Sequence, residues 1–172
     1  MKSLFKKSYT GEELRTFDFL RKIKLFEDLS NDELLLFIPH LYTREYKKDE
    51  VVFFRDDPSH AIYIVNSGQV TLNIDLKDKF EELATISPGG VFGDNAILEN
   101  TRRIYTSVVT SEKCLMSVIP QVNIFQIFDH RPKVKAKMLH SFSLLYNQYS
   151  INLIEAYKSA YGFFDLRMVY EK

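Results

Sequence analysis

Between residues 43 and 119 the chain reads at a period of two. The run "YKKDEVVFFRDDPSHAIYIVNSGQVTLNIDL", followed by "FEELATI", "YTSVVT" and "CLMSVI", alternates β-branched or aromatic residues with polar ones, and "DDPS" and "NSG" punctuate it as turns. Several short strands joined by turns, with no helical period among them until about residue 95, do not fit alternating strands and helices. They predict an antiparallel β-barrel or jelly roll. "DNAILE", residues 94–99, has room for one or two helical turns only.

Helical signals flank this block. Thr10 is placed to cap a helix over residues 11–23, with Glu12 and Glu13 in its first turn. "LSNDELLLFIPHL" carries a capping box, Ser30 with Glu33, and predicts a second helix that Pro39 ends or bends. After Pro120 the helical period returns in "QVNIFQIF", and Pro132 opens one long helix. There Val134, Met138, Phe142, Leu145, Tyr149, Leu153, Ala156 and Ala160 form one apolar stripe, and Leu139, Tyr146, Ile154, Tyr157 and Tyr161 form a second row. One barrel face needs a single stripe. The surplus predicts a homodimer through the C-terminal helix, the competing cover being Leu14, Phe17, Leu20 and Ile23 of the same chain. The expected organisation is N-terminal helices over 1–42, a β-barrel over 43–119, and hinge and lid or dimerisation helices over 120–172.

Composition narrows the function classes. Lys+Arg and Asp+Glu are both 23, so the net charge is zero, which argues against a nucleic-acid partner. Cys114 is the only cysteine, which leaves no disulfide framework or thiolate cluster. His40, His60, His130 and His140 lack metal-ligand spacing, so a metal-dependent enzyme on a barrel of this kind is not expected, and nothing marks an activated nucleophile. No segment has the length or character of a signal peptide or a membrane span. A non-enzymatic, cytoplasmic protein without metal or cofactor is the expectation.

The chemistry concentrates in "PGGVFGDNAILENTRRIYTS", residues 88–107. A phosphodiester is held by backbone amides exposed at a turn and by a cation that donates two hydrogen bonds at once. Glycine lets the backbone come close, and arginine supplies the planar fork. "FGDNA" followed by Arg103 offers both, and Asp94 offers a carboxylate for a ribose hydroxyl. Read from the residues alone, a tight turn followed by solvated charges accounts for the same stretch equally well.

The stretch resembles the phosphate-binding cassette of cyclic-nucleotide-binding domains, the cAMP- and cGMP-sensing modules of kinases, channels and bacterial regulators. Phe92, Gly93, Asp94, Asn95 and Ala96 stand where that cassette has Phe-Gly-Glu and a small residue soon after. Arg103, Ile104, Tyr105 and Thr106 stand where it has Arg-x-Ala-Thr/Ser, and Arg102 takes the arginine's place if the turn is one residue shorter. "AIYIVNSGQVTL" resembles the family's Tyr-x-Ile-x-x-Gly-x-Val segment and "ISPGG" its turn before the cassette, and the similarity runs over roughly residues 19 to 155. Two positions depart from the pattern: Asp94 is one methylene shorter than the family glutamate, and Tyr105 replaces a small residue.

The resemblance implies a jelly-roll sensor that binds cAMP or cGMP through Phe92, Gly93, Asp94, Asn95, Ala96, Arg103, Tyr105 and Thr106. Met138, Phe142 and Leu145 are the lid expected over the purine. The alternative is a degenerate barrel without ligand that serves as an interaction or dimerisation module. A winged helix-turn-helix needs roughly 60–80 residues of its own, and residues 133–172 are mostly one helix, so a stand-alone sensor without DNA or membrane partners is expected.

Overall fold

The computed structural model describes residues 8–76 and 79–161, and its helix starts follow the capping logic of the sequence. Helix α1 spans Gly11–Arg21. The Thr10 hydroxyl accepts from the Glu13 amide at 3.2 Å, and the Glu13 carboxylate accepts from the Thr10 amide at 2.7 Å. Ser30 and Glu33 repeat the device at helix α2, Asn31–Leu34. The helix expected over "LSNDELLLFIPHL" starts at its predicted cap but is shorter than expected: α2 ends after one turn, and a 3-10 turn occupies Ile38–His40. Pro39 has no N–H for the Leu35 carbonyl, and the backbone has already tightened, with Leu36 and Phe37 donating three residues back to Glu33 and Leu34. The tighter winding turns Leu34 and Phe37 inward together, and both are fully buried.

Among the described residues eight strands follow: β1 Tyr42–Lys47, β2 Val51–Phe53, β3 Ala61–Ser67, β4 Val70–Leu76, β5 Lys79–Ile86, β6 Val91–Phe92, β7 Thr106–Val109 and β8 Lys113–Pro120. They pair antiparallel into two four-stranded sheets, ordered β1-β8-β3-β6 and β2-β7-β4-β5, the jelly-roll arrangement the alternation predicts. Gly68 makes the β3–β4 turn at φ +86°, and a Cβ there would lie 2.4 Å from the Lys113 carbonyl oxygen, so only glycine fits.

Strand β3 is the wall between two cores. Its Ile62 and Ile64 join the helical core, and its Ala61 and Val65 join the barrel interior. Both faces of β3 are covered, so "AIYIV" departs from the alternation of the rest of the block. The barrel interior is completed by Phe53, Val70, Phe92, Val109, Met116 and the buried thiol of Cys114.

Helix α3, Gln121–His130, and helix α4, Pro132–Tyr161, close the opposite side. Phe17 and Leu20 of α1, Ile124 and Phe128 of α3, and Val134, Met138 and Phe142 of α4 share one cluster. An ion pair, Lys137 Nζ to Glu33 Oε2 at 2.7 Å, ties α4 to α2. The predicted apolar stripe is therefore buried only over its first half. Leu139 and Tyr146 of the second row pack against the helical core, which includes Phe17, Leu20 and Ile23, while Leu14 is exposed. Residues 147–160 are exposed throughout, including Leu153, Ile154 and Tyr157. Residues 162–172 and the Tyr161 side chain lie outside the described residues.

Candidate functional site

The loop between β6 and β7 builds the site. Gly93 leaves β6 in the left-handed conformation, φ +68°, and starts a 3-10 turn over Asp94–Ile97. A Cβ on Gly93 would meet Arg103 Nη1 at 2.5 Å and the Ala61 carbonyl at 3.1 Å, so the glycine is required by packing as well as by φ. Asn95 stitches the loop: its Nδ2 donates to the Arg102 carbonyl at 2.8 Å, its Oδ1 accepts from the Ser59 hydroxyl at 3.1 Å, and its carbonyl accepts from the Thr101 hydroxyl at 2.9 Å.

Arg103 is buried and turned toward Gly93. Its Nη1 donates to the Gly93 carbonyl at 2.9 Å and to Asn95 Oδ1 at 3.2 Å, and its Nη2 donates to the Ala61 carbonyl at 2.7 Å. Its guanidinium lies 4.1 Å above the Phe53 ring, a cation–π contact that offsets part of its desolvation. Nε has no hydrogen-bond partner. The Arg102 side chain, by contrast, donates to the Asp56 carbonyl, so it is the Arg103 guanidinium and not that of Arg102 that meets Gly93.

Asp94 is 7% exposed, and its Oδ2 has no partner. Burial pushes its pKa from 3.8 to about 6, against the backbone N–H groups of Asp94 and Asn95 and the Arg103 charge, which favour the ionised form less strongly. A buried carboxylate with a free oxygen is costly for folding alone, and it lines a cavity. That cavity, of about 340 Å³, lies between β4, β5 and β6 on one side and α4 on the other. Leu72, Ile86 and Val91 form the barrel wall, and Tyr146, Tyr149 and Leu153 form the helical wall. A smaller cavity of about 170 Å³ shares Asp94, Val91 and Tyr149 and is rimmed by Lys22 and Lys24. Burial pushes the Tyr149 hydroxyl up to about 12 and raises that of Tyr146 further, with the Asp94 charge adding to both.

Tyr105 also borders the cavity, and its hydroxyl oxygen accepts the Gly93 N–H at 3.0 Å. Its ring joins Phe53, 5.8 Å away, in an aromatic group with Tyr63 and Phe92. Burial, with Asp94 adding, raises its pKa well above the ordinary phenol value.

The candidate residues thus separate. Asp94 and Tyr105 line the cavity, and Gly93, hydrogen-bonded to both Tyr105 and Arg103, is not among its lining residues. Phe92 and Ala96 are core, and Asn95 holds the loop. The Thr106 hydroxyl accepts the Arg55 amide at 3.0 Å and braces the end of β2. Of the three residues expected as a lid, Met138 and Phe142 are buried in the helical core and Leu145 lines the smaller cavity with Asp94, while Tyr146, Tyr149, Ser150 and Leu153 line the larger one. Their spacing of three and four is the signal that could have identified them. A larger groove of about 710 Å³ opens between α2 and the α3–α4 junction, walled mainly by charged residues such as Asp32, Glu33, His130 and Arg131. The buried unpartnered polar atoms of the described residues lie elsewhere. Among those residues no cluster can hold a metal ion, and no helix is long and apolar enough to cross a membrane.

The cyclic nucleotide-binding domain profile matches residues 43–131. The chain is 28% identical over 95 residues to the cyclic AMP receptor protein of Thermus thermophilus, covering 55% of this chain and 44% of that one. It is 30% identical over 95 residues to the cAMP-dependent protein kinase regulatory subunit of Colletotrichum orbiculare, covering 55% of this chain and 24% of that one. The chain therefore spans less than half the length of these relatives. Among solved structures, the regulatory domain of Toxoplasma gondii PKA with cAMP aligns with a TM-score of 0.63 at 21% identity, over 70% of this chain and 46% of that one. The N-terminal domain of a transcriptional regulator from Streptomyces coelicolor aligns with a TM-score of 0.69 at 18% identity, over 79% and 95%.

Proposed function

The chain belongs to the cyclic nucleotide-binding domain family, and from that premise we propose that it is a non-enzymatic sensor which takes a cyclic nucleotide, cAMP in the first instance, into the cavity between the barrel and α4. One observation carries the reading: Asp94, whose buried Oδ2 has no partner, lines a cavity walled by α4. Folding gains nothing from that oxygen, whereas a ribose hydroxyl would satisfy it. In this reading the sugar sits on Asp94, the phosphate on Gly93 and Arg103, and the purine against Tyr146, Tyr149 and Leu153. A ligand touching both walls binds the closed arrangement better than an open one, so it draws α4 onto the barrel. The exposed far half of α4 then passes the signal on, through pairing with a second copy.

A second reading has its own support. The Gly93 N–H and the Arg103 guanidinium are already occupied by the chain's own atoms, as in a barrel used without ligand for protein interaction. Thermal unfolding with cAMP, cGMP and 5′-AMP separates the two. At 100 times its Kd a ligand adds about 2.7 kcal/mol, which for a domain of this size is roughly a 5–11 °C rise. No shift with millimolar cAMP or cGMP overturns the sensor reading.

A further inference from the structure

Resting on the nucleotide reading, we propose that Tyr105 is a latch: its hydroxyl oxygen is the cradle's resident occupant, and an anion binds only by displacing it. Both backbone polar groups of Gly93, which belong to the two successive peptide groups flanking its Cα, are engaged from within. Its N–H donates to Tyr105 Oη at 3.0 Å, and its carbonyl accepts from Arg103 Nη1 at 2.9 Å. A left-handed glycine with no room for a Cβ offers its amide to an oxygen, and the oxygen it meets is a phenol. Two further polar atoms beside it stay unpartnered and buried, Asp94 Oδ2 and Arg103 Nε, on side chains that are 7% and 2% exposed. The phenol therefore satisfies one donor of the loop and leaves its neighbours waiting, as a stand-in smaller than the full ligand does.

The latch has consequences that a small residue at 105 would not produce. The ring is held by Phe53 and borders the same cavity as Tyr146 and Tyr149, so moving it disturbs the barrel interior and the α4 wall together. Part of any ligand's binding free energy goes into releasing the Gly93–Tyr105 bond. The protein discriminates in favour of ligands whose remaining contacts exceed that cost.

The test compares the parent with Tyr105→Phe, which keeps the ring and removes the oxygen, and Tyr105→Ala, which removes both. Each is titrated with cAMP by calorimetry and with inorganic phosphate by following the Gly93 amide in NMR spectra. The expected result is cAMP affinity about fivefold tighter in Tyr105→Phe, the worth of one ordinary hydrogen bond. If Tyr105→Ala folds, it should bind more than about tenfold tighter. Parent and variants binding cAMP equally, or the variants binding more weakly, overturns the latch and leaves the nucleotide reading standing. Absence of cAMP binding throughout, with phosphate moving the Gly93 amide in the variants and not in the parent, upholds the latch and removes the nucleotide reading. No response to either ligand in any of the proteins overturns both.

Discussion

Asp94→Asn should make this protein more stable at neutral pH and no more stable in acid. The side chain is nearly fully buried, one of its oxygens has no partner, and its pKa stands at about 6 against 3.8 for the free group. A raised carboxyl pKa means that between about pH 4 and 6 the folded state holds a proton the unfolded chain has released, so stability falls as pH rises through that window. The contribution is fully present below the unfolded value of about 4 and is lost above about 6. A difference of about two pKa units corresponds to roughly 3 kcal/mol. Asparagine has the same shape and no charge to desolvate, so the variant should be up to about 3 kcal/mol more stable than the parent at pH 7.5. For a domain of this size that is roughly 6–12 °C in Tm. Glu33, whose pKa is lowered because hydrogen bonds from Lys137 and Ser30 outweigh its burial, acts in the opposite direction but is common to both proteins and cancels. Differential scanning calorimetry at half-unit steps from pH 4 to 8 checks the claim. A variant less stable than the parent at pH 7.5, or a Tm gap constant across the range, refutes the reasoning. The same change should weaken cAMP binding by roughly 1.5–3 kcal/mol, since it replaces a charged acceptor, and a residue whose loss stabilises while it disables belongs to function.

Arg103→Ala should be a folding variant as well as a binding one, losing roughly 2–4 kcal/mol because the carbonyls of Gly93 and Ala61 lose a charged donor; urea unfolding with a midpoint unchanged from the parent contradicts this. Lys137→Ala should cost about 0.5–1 kcal/mol, and Glu33→Ala about 1–2 kcal/mol because it also breaks the Ser30 capping box; equal costs in thermal melts would show that the box contributes nothing. Light scattering at low micromolar concentration should give twice the 20.2 kDa chain mass, and Leu153→Glu with Ile154→Glu should return it to one chain mass with the barrel's unfolding intact; a parent mass near 20.2 kDa removes the dimer.

The fold was legible where local chemistry and tertiary packing agree. The capping residues Thr10 and Ser30, the alternation from residue 43 and the Pro132 helix start each report a constraint that lies within a few residues. The helix that follows Ser30 forms but ends after one turn, five residues before Pro39, because the backbone tightens to three-residue hydrogen bonds at Leu36 and Phe37, an effect that periodicity alone does not register. The cassette stretch is legible as a glycine turn followed by arginine, but the separate packing of its side chains is not. Nothing in "GDNAILENTRRIYT" says that Asn95 and Thr106 spend their polar atoms on the loop and on β2, or that the Tyr105 hydroxyl reaches back twelve residues to Gly93. Which residues of α4 line the cavity follows from where α4 crosses the barrel, which depends on the α3–α4 junction and the Glu33–Lys137 tie. Such facts are set by tertiary geometry, and a linear pattern carries only their spacing.

The central claim is that a cyclic nucleotide occupies the cavity between Asp94 and α4, and amide NMR of the parent titrated with cAMP tests it most directly. Saturable shifts at Gly93, Asp94 and Tyr105, accompanied by shifts at Tyr146, Tyr149 and Leu153 across the cavity, are the predicted result. Shifts confined to the groove at Glu33, His130 and Arg131, or none at millimolar cAMP, would contradict it.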